Sequence, residues 1–257
     1  MSRLWIAIAM VALVTHSARA QIVNVQGALA KAPDHDGVVG QLELKFNWRE
    51  GNSPLFDIGG AGSVVVRRGD VLGLVLVRGE YGQSRGVALI GKVFEHVRTR
   101  ITIDCLWRWE AFAQHEYDRF RRLSLRALAG TGPALQVIQT KELAVLVGAA
   151  YLYEYEQADT HAGRIDAGLA TASHRASLYF TGREDLSASA SVVQTVYLQP
   201  RLDKPSDQRV FGELAVLTRL ASWISIKDSL SVAYDRTPLD GVKHYDTALE
   251  IALSATF

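Results

Sequence analysis

The sequence predicts an all-β protein, an antiparallel up-and-down transmembrane β-barrel of about twelve strands. Three observations support this prediction. Segments with one apolar and one polar face recur along the chain, an export signal precedes them, and long and short connections alternate between them. After residue 20 no apolar run approaches the roughly 18 residues that a membrane-spanning helix needs, so helical transporters and channels are excluded.

The overall composition excludes several other classes. The 257 residues include 28 Lys and Arg against 27 Asp and Glu, and the formal net charge of +1 argues against a nucleic-acid-binding protein. The single cysteine, Cys105, excludes an intramolecular disulfide and a cysteine-cluster metal site. Hydrophobic residues make up 48% of the chain, which fits a soluble protein as well as a membrane protein. Only their arrangement along the chain distinguishes these two classes.

Residues 1–20 have the plan of a secretory signal peptide. A basic start at Arg3 is followed by the apolar stretch Leu4–Val14, and Ala18 and Ala20 have the spacing of a cleavage site. The apolar stretch is too short to span about 30 Å of hydrocarbon as a helix. We therefore expect export from the cytoplasm and cleavage after Ala20.

The chain after the signal peptide is divided into a periplasmic N-terminal lead-in at residues 21–37 and the barrel at residues 38–257. The first strand shows the strand period most clearly, because every second residue from Leu42 to Trp48 is apolar and the residues between are polar. Turn-like clusters separate the twelve predicted strands, which cover residues 38–49, 55–67, 70–81, 87–99, 104–117, 121–136, 141–156, 166–181, 187–200, 208–220, 223–235 and 245–257.

The later strands repeat the pattern with different strength. In the fifth strand tryptophan and alanine alternate with Arg108, Glu110, Phe112, Gln114 and Glu116. In the sixth, leucine and alanine alternate with Arg122, Ser124 and Arg126. The seventh strand ends in three tyrosines on one face, and the eleventh and twelfth strands alternate clearly. Residues 55–81 and 165–181 alternate weakly and are assigned from length and turn signals.

The strands of a soluble β-sandwich also alternate apolar and polar residues. Whether the apolar face points outward to lipid or inward to a dry core therefore has to be inferred. In outer-membrane barrels this face meets lipid, the lumen is polar, aromatic rings lie at the interfaces, and tight turns alternate with longer loops. Short connections such as QTK (139–141) alternate here with long ones such as QADTHAG (157–163). Cys105, just before Trp107, is then expected on a lipid-facing strand. The aromatic residues that fit interfacial girdles are Trp48, Trp107, Trp109, Tyr151, Tyr153, Tyr155, Tyr234 and Phe257.

The opposite face supplies the candidate functional residues. Twelve strands about 4.7 Å apart, tilted by about 40°, give a backbone radius of roughly 12 Å. Charges inside such a barrel must pair or face water. Two interpretations stay open: a narrow, charge-selective path for small solutes, or an ion-paired interior that conducts nothing. The residues predicted to face the lumen are Arg98, Arg100, Arg108, Glu110, Glu116, Arg122, Arg126, Arg209, Glu213, Lys227 and Glu250.

Two further groups of residues were weighed as sites. His174 with Ser173 and Ser177 is the nearest approach to the Ser and His pair of a barrel lipid hydrolase, but no motif of such enzymes flanks it. Residues 34–36, Asp-His-Asp, offer ligands for a divalent cation, although a solvated turn beside Pro33 is the commoner role of such a cluster. The sequence therefore predicts no catalytic residue, no metal and no cofactor.

The last strand ends on Phe257, with apolar residues at alternate positions before it. This ending resembles the signal that the barrel assembly machinery reads in bacterial outer-membrane proteins. We expect that machinery as a partner during biogenesis, outer-membrane lipids and lipopolysaccharide as surroundings, no nucleic acid, and a monomer.

Four blocks carry a family resemblance: WREGN (48–52), LWRWEAFAQHEYDRFRRLSLRALAGTGP (106–133), YLQPRL (197–202) and YDRTPLDGVKHYDTAL (234–249). In these blocks the chain resembles the YdiY-like family of salt-stress-induced outer-membrane proteins, which carries a domain of unknown function. Pro133 departs from the family pattern and is expected to shorten a strand or move a turn. The resemblance covers most of residues 38–257 and implies an outer-membrane β-barrel, without a substrate or a reaction.

The sequence thus favours a non-enzymatic integral barrel of the Gram-negative outer membrane, acting as an envelope component or as a passive small-solute pore. Two alternatives belong to other classes. One is an outer-membrane lipid-acting hydrolase that uses His174. The other is a soluble periplasmic β-rich protein that binds a ligand.

Overall fold

The computed structural model of the protein describes residues 22, 24–29, 32–50, 55–160 and 163–257, so the predicted signal peptide and its cleavage site lie outside the described residues. A single helical turn, α1 (Gln26–Leu29), precedes the strands, and a short 3-10 helix, η1 (Arg119–Arg121), lies between the fifth and sixth. The strands are β1 (Gly37–Arg49), β2 (Leu55–Arg68), β3 (Val71–Ser84), β4 (Val87–Thr102), β5 (Trp107–Asp118), β6 (Leu123–Gln139), β7 (Leu143–Ala158), β8 (Ala170–Asp185), β9 (Ala190–Pro200), β10 (Gln208–Arg219), β11 (Ile224–Asp235) and β12 (Tyr245–Thr256).

The twelve strands form one closed antiparallel barrel. Each strand pairs with its neighbours in sequence, and β1 pairs with β12 to close the sheet. The predicted fold class and the approximate strand number are confirmed. The predicted limits differ from the observed ones by at most four residues, and the largest difference is at β8, predicted at 166–181.

The two ends of the barrel differ in their connections. Gly37 and Phe257 lie at one end, which we call the terminal end, together with short connections such as residues 69–70 and 140–142. The opposite end, the loop end, carries the longest connections, at residues 159–169, 201–207 and 236–244. The longest connections thus lie at one end, as predicted, but the connection after β3, predicted to be long, is the two-residue turn of Arg85 and Gly86.

The outer face of the barrel is apolar. Leu249, Ile251 and Phe257 expose 75%, 66% and 80% of their surface, and similar side chains surround the barrel. So large an apolar surface is unfavourable in water and favourable in a lipid bilayer, which disfavours the soluble alternative. Exposed rings near the loop end belong to Phe46, Trp48, Tyr81, Tyr117, Tyr151, Tyr153 and Tyr245, and those near the terminal end belong to Trp107, Trp109, Trp223 and Phe257. None of the helices described is both long and apolar enough to cross a membrane.

The prediction for Cys105 is wrong. It lies, exposed, in the connection between β4 and β5 rather than on a strand, and β5 begins only at Trp107. The turn forms because Asp104 Oδ1 accepts hydrogen bonds from the backbone N–H groups of Leu106 and Trp107, both at 2.7 Å. The same two hydrogen bonds hold the pKa of Asp104 below its ordinary value.

The N-terminal segment, which we define as the described residues 22, 24–29 and 32, enters the barrel. The sequence predicted a periplasmic lead-in here, but Val25 and Leu29 are buried inside the barrel against an apolar cluster that includes Val65, Leu74 and Phe94. Ile22 is buried in a second cluster, with Ala134, Leu146, Tyr179, Tyr197, Phe211 and Ala233. Apolar side chains that have no outer lipid face to occupy are buried within the lumen instead.

Polar contacts fix the N-terminal segment to the wall. Asn24 Nδ2 donates to Glu213 Oε1 at 2.9 Å, and Arg100 Nη2 donates to Gln26 Oε1 at 3.1 Å. Gln41 Nε2 donates to the backbone carbonyl of Ala28 at 3.3 Å. The segment therefore contacts β1, β4 and β10, and the core of the molecule lies inside the barrel.

Candidate functional site

The candidate functional site is the lumen, because the strands direct charged side chains to their inner faces. Of the eleven residues predicted there, Arg98, Glu110, Glu116, Arg126 and Arg209 are buried, and Arg100, Glu213, Lys227 and Glu250 are half-buried with polar partners inside the barrel. Arg108 lies at the terminal end, where it donates to the backbone carbonyls of Asp104 and Trp107. The eleventh, Arg122, requires a correction.

Arg122 is not a strand residue that faces the lumen. It ends η1 with a φ of 58°, and the strand register shifts between Leu123 and Leu125, so alternation counted back from Arg126 gives the wrong position. The guanidinium instead binds loop-end carboxylates, with Asp166 at 2.6 Å and Asp159 at 3.0 Å.

This loop-end cluster lies outside the sheet and is tightly bonded. Asp166 Oδ2 also accepts the backbone N–H of Asp240 at 2.6 Å, so Arg122 and Asp166 join three connections of the loop end. Burial alone would raise the pKa of Asp166, but the hydrogen bond from Asp240 and the charge of Arg122 outweigh it and hold the pKa below its ordinary value.

The largest ion-pair cluster of the lumen surrounds Glu154, which is only 1% exposed. Its Oε2 accepts hydrogen bonds from Arg126 and Arg209, each at 2.7 Å, and its Oε1 accepts one from Arg175 at 3.0 Å. Arg209 also binds Asp235 at 2.8 Å. Residues of this cluster that the sequence analysis missed are Glu154, Glu156, Arg175, Asp207 and Asp235. The signal for the two glutamates was present, because they alternate with the tyrosines of β7.

A second cluster is centred on Glu110. Its carboxylate accepts from Arg98 at 2.9 Å, from Arg100 at 2.7 Å and from the hydroxyl of Tyr179 at 2.7 Å. The guanidinium of Arg98 also lies 4.7 Å from the ring centre of Phe112. This cluster fills the β4, β5 and β8 side of the lumen beside the N-terminal segment.

The opposite wall carries lysine pairs and more open space. Glu80 binds Lys45 at 2.6 Å through one oxygen and Lys92 at 2.7 Å through the other. Lys45 also binds Glu250 at 3.1 Å. Lys227 and Glu43 are 3.7 Å apart.

Three cavities form a row that begins beside this wall. The loop-side cavity, of about 50 Å³, shares Glu43, Ala61 and Arg78 with a middle cavity of about 30 Å³. The middle cavity shares Gly27 and Val193 with a terminal cavity of about 340 Å³, which is also lined by the connections at 187–189 and 221–223. A water molecule needs about 10 to 15 Å³ of such volume, so the first two cavities hold a few waters each.

Arg78 occupies a particular place in this row. Its half-buried side chain lines both the loop-side and the middle cavity. Among the described residues, none forms an ion pair or a hydrogen bond with its guanidinium. Arg78 is not among the residues predicted from the sequence, because an unpaired cation and a paired one look the same in a strand pattern.

The geometry does not assemble the predicted hydrolase pair. His174 lies on the outer face, where its Nδ1 is 2.5 Å from the hydroxyl of Tyr151. Ser173 and Ser177 are buried on the inner face and bond to Glu154 and Gln199. The sheet separates the imidazole from both hydroxyls, so neither serine can be activated by this histidine.

The Asp-His-Asp cluster at 34–36 forms the turn before β1, and Asp36 accepts the backbone N–H of Gly69 at 2.7 Å. In the described part of the chain, no group of three or more His, Cys, Asp or Glu side chains is placed to hold a metal ion.

Comparison with solved structures finds outer-membrane proteins, and the first of the two described here shows the same fold. An outer membrane channel from Pseudomonas putida F1 superposes with a TM-score of 0.50 at 11% identity, with 88% of this chain and 97% of that chain covered. The translocator domain of the autotransporter NalP from Neisseria meningitidis has a TM-score of 0.46 at 12% identity, and 91% of each chain is covered. No curated protein sequence matches the chain.

Sequence comparison with protein families gives one assignment. The profile of DUF481, described as a protein of unknown function, matches residues 42–257. The match does not test the predicted likeness to salt-stress-induced proteins, which stays a prediction. Since the profile spans nearly all of the barrel, the chain belongs to the DUF481 family of proteins of unknown function.

Proposed function

We propose that the protein is an outer-membrane barrel that provides a narrow passage for small polar solutes, held nearly closed by its N-terminal segment. The observation that carries this proposal is the row of three cavities, in which each cavity shares lining residues with the next. The row extends from the loop half of the lumen to the terminal end. Passage needs no chemistry, so the proposed role is non-enzymatic.

The proposed location follows from the outer surface and from the expected export signal. A continuous apolar face with aromatic rings near both ends suits a bilayer. The expected cleavage after Ala20, assembly through the signal at Phe257, contact with lipids and lipopolysaccharide, and a monomeric state are parts of the same proposal.

The passage is proposed along the row of cavities because the two sides of the lumen differ in packing. The Glu154 cluster ties β6, β7, β8 and β10 together with short charged hydrogen bonds and leaves little freedom. The other wall has small inner residues, Gly59, Ala61 and Ala252, next to the cavities. Between them lies the N-terminal segment, whose Gly27 lines two of the three cavities.

The first test compares the mature chain with a variant that lacks residues 21–32, both reconstituted in planar lipid bilayers. We expect small conductance steps for the mature chain and clearly larger steps after the deletion, because the deletion joins the cavities. If neither protein conducts more than the empty bilayer, the passage is wrong and the second candidate, a sealed envelope barrel closed by its ion pairs, is favoured.

A point variant tests, without shortening the chain, whether the N-terminal segment restricts the passage. Asn24→Asp replaces the amide that donates to Glu213 with a second carboxylate, so the two groups repel and the N-terminal segment loosens. The matched control is Asn47→Asp, which creates the same repulsion with Asp57 on β1 and β2 but does not touch the segment. We expect a conductance increase for Asn24→Asp alone.

A further inference from the structure

We propose that Arg78 forms a binding site for a small oxyanion of the size of a monocarboxylate, at the junction of the loop-side and middle cavities. This inference rests on the proposed passage and names the class of solute that it favours.

One of the cations that line the loop-side cavity has no ion-pair partner among the described residues. Its four lining carboxylates are all within ion-pair distance of a base: Glu43 with Lys227, Glu80 with Lys45 and Lys92, Glu116 with Arg121 and Arg126, and Glu250 with Lys45. Of the three described cations that line the cavity, Lys45 and Lys92 share Glu80, whereas Arg78 has no carboxylate partner.

The sheet register explains why Arg78 stays unpaired. Its nearest inward carboxylate on the same strand is Glu80, but both oxygens of Glu80 already bind lysines. Across the sheet, Arg78 is level with Ala61 of β2 and then with Glu43 of β1. Two strand spacings of about 4.8 Å separate Arg78 from Glu43, and the short Ala61 side chain leaves that gap open.

The gap suits a small anion. A cavity of about 50 Å³ has room for three or four waters, and hence for the four heavy atoms of acetate. A guanidinium offers two parallel N–H groups that match the two oxygens of a carboxylate, and such charge-assisted pairs are strong where water is scarce. Lys45 and Lys92 on the same cavity are already paired with Glu80, so Arg78 is the lining cation that remains for an anion.

Anion binding tests the site independently of conduction. The full mature chain, folded in detergent, is titrated with acetate by calorimetry, with choline as the cationic probe. We expect acetate to bind, Arg78→Gln to lower its affinity about tenfold or more, and Arg78→Lys to give an intermediate value because it keeps the charge but loses the paired N–H groups.

The matched control is Arg183→Gln, which removes a lumen arginine of the terminal cavity that is paired with Asp185 at 2.9 Å. It should leave acetate binding unchanged. Heat-modifiable mobility in gel electrophoresis confirms that each variant is folded. Equal acetate affinity in the wild type and Arg78→Gln, or no acetate binding by the folded wild type, overturns the site.

Ion selectivity then separates this inference from the proposed passage. In bilayers under a salt gradient, the reversal potential of the wild type should indicate anion preference, and Arg78→Gln should shift it toward cations. Acetate binding that depends on Arg78, together with no conductance in any variant, would support the site and refute the passage. If the protein conducts but Arg78→Gln changes neither the ion selectivity nor the acetate binding, the result would support the passage and refute the site.

Discussion

At the scale of single residues, Glu154 has the most demanding position in the barrel. One carboxylate that is 1% exposed accepts hydrogen bonds from three arginines of three different strands. Removing a charge from water is costly, and only the complete set of partners compensates for it. The complete cluster is therefore stable, but loss of the central Glu154 carboxylate would destabilise the arginines around it.

We expect Glu154→Gln to lower the free energy of unfolding by about 3 to 5 kcal/mol, because it leaves buried arginines without their shared carboxylate. The measurement is urea-induced unfolding from lipid vesicles, followed by tryptophan fluorescence. The control, Asp185→Asn, breaks the half-exposed pair with Arg183 and should cost less than about 1 kcal/mol. Similar losses in both variants would contradict a central role for Glu154.

The faces of such residues were predictable, and their partners were not. Alternation alone identifies the inward side of Arg126 and Arg209, since neighbouring residues of a strand point to opposite faces. Glu154 lies 28 and 55 residues away from these arginines, and only the closed sheet brings the three together. For the same reason, the unpaired state of Arg78 became visible only in the structure.

At the scale of elements, strands were predicted better than the segments that join or precede them. A strand of this barrel repeats the alternation of apolar and polar residues many times. The turn at Cys105, by comparison, depends on one side chain, Asp104, and the position of Arg122 depends on one register shift. The N-terminal segment shows no strand period, and its place inside the barrel is set by contacts to distant strands that the sequence does not reveal.

The loop-end cluster gives a pH prediction at this scale. The pKa of Asp166 is lowered on folding, so its contribution is present above the ordinary value of 3.8 and is lost as the pH falls through the lower folded value. A spin label at Ile165, which is 96% exposed, should be ordered at about pH 6 and mobile at about pH 2, after Cys105→Ser removes the native thiol. Arg122→Gln should make the label mobile at both pH values.

The control label replaces Leu186 in the terminal-end connection between β8 and β9, which no Arg122 contact reaches. Its mobility should change little between the two pH values and between the wild type and Arg122→Gln. A label at Ile165 that stays ordered in acid would show that the three connections are held by other contacts.

At the scale of the whole molecule, the barrel depends on one short seam. β1 and β12 align at only four residue pairs, whereas β1 and β2 align at thirteen. Backbone hydrogen bonds between Gly40 and Phe257 extend the seam beyond these pairs, at 2.7 and 3.0 Å. Phe257 thus closes the sheet physically, apart from any role as an assembly signal, and the even strand number brings the start of β1 and the end of β12 to this place.

We therefore expect closure to be sensitive to the space that the Phe257 ring occupies. A Cβ at Gly40 would meet this ring, so Gly40→Val should displace it and lower the yield of folded barrel severalfold. The yield is measured in thin lipid vesicles from the heat-modifiable gel shift, without assembly machinery. Gly62→Val is the matched control, because Gly62 lies on the outer face of β2 with open space around it.

If the ring is the obstacle, Phe257→Ala combined with Gly40→Val should fold at least as well as Phe257→Ala alone. A double variant that folds worse would place the sensitivity in the β1 backbone instead of the seam.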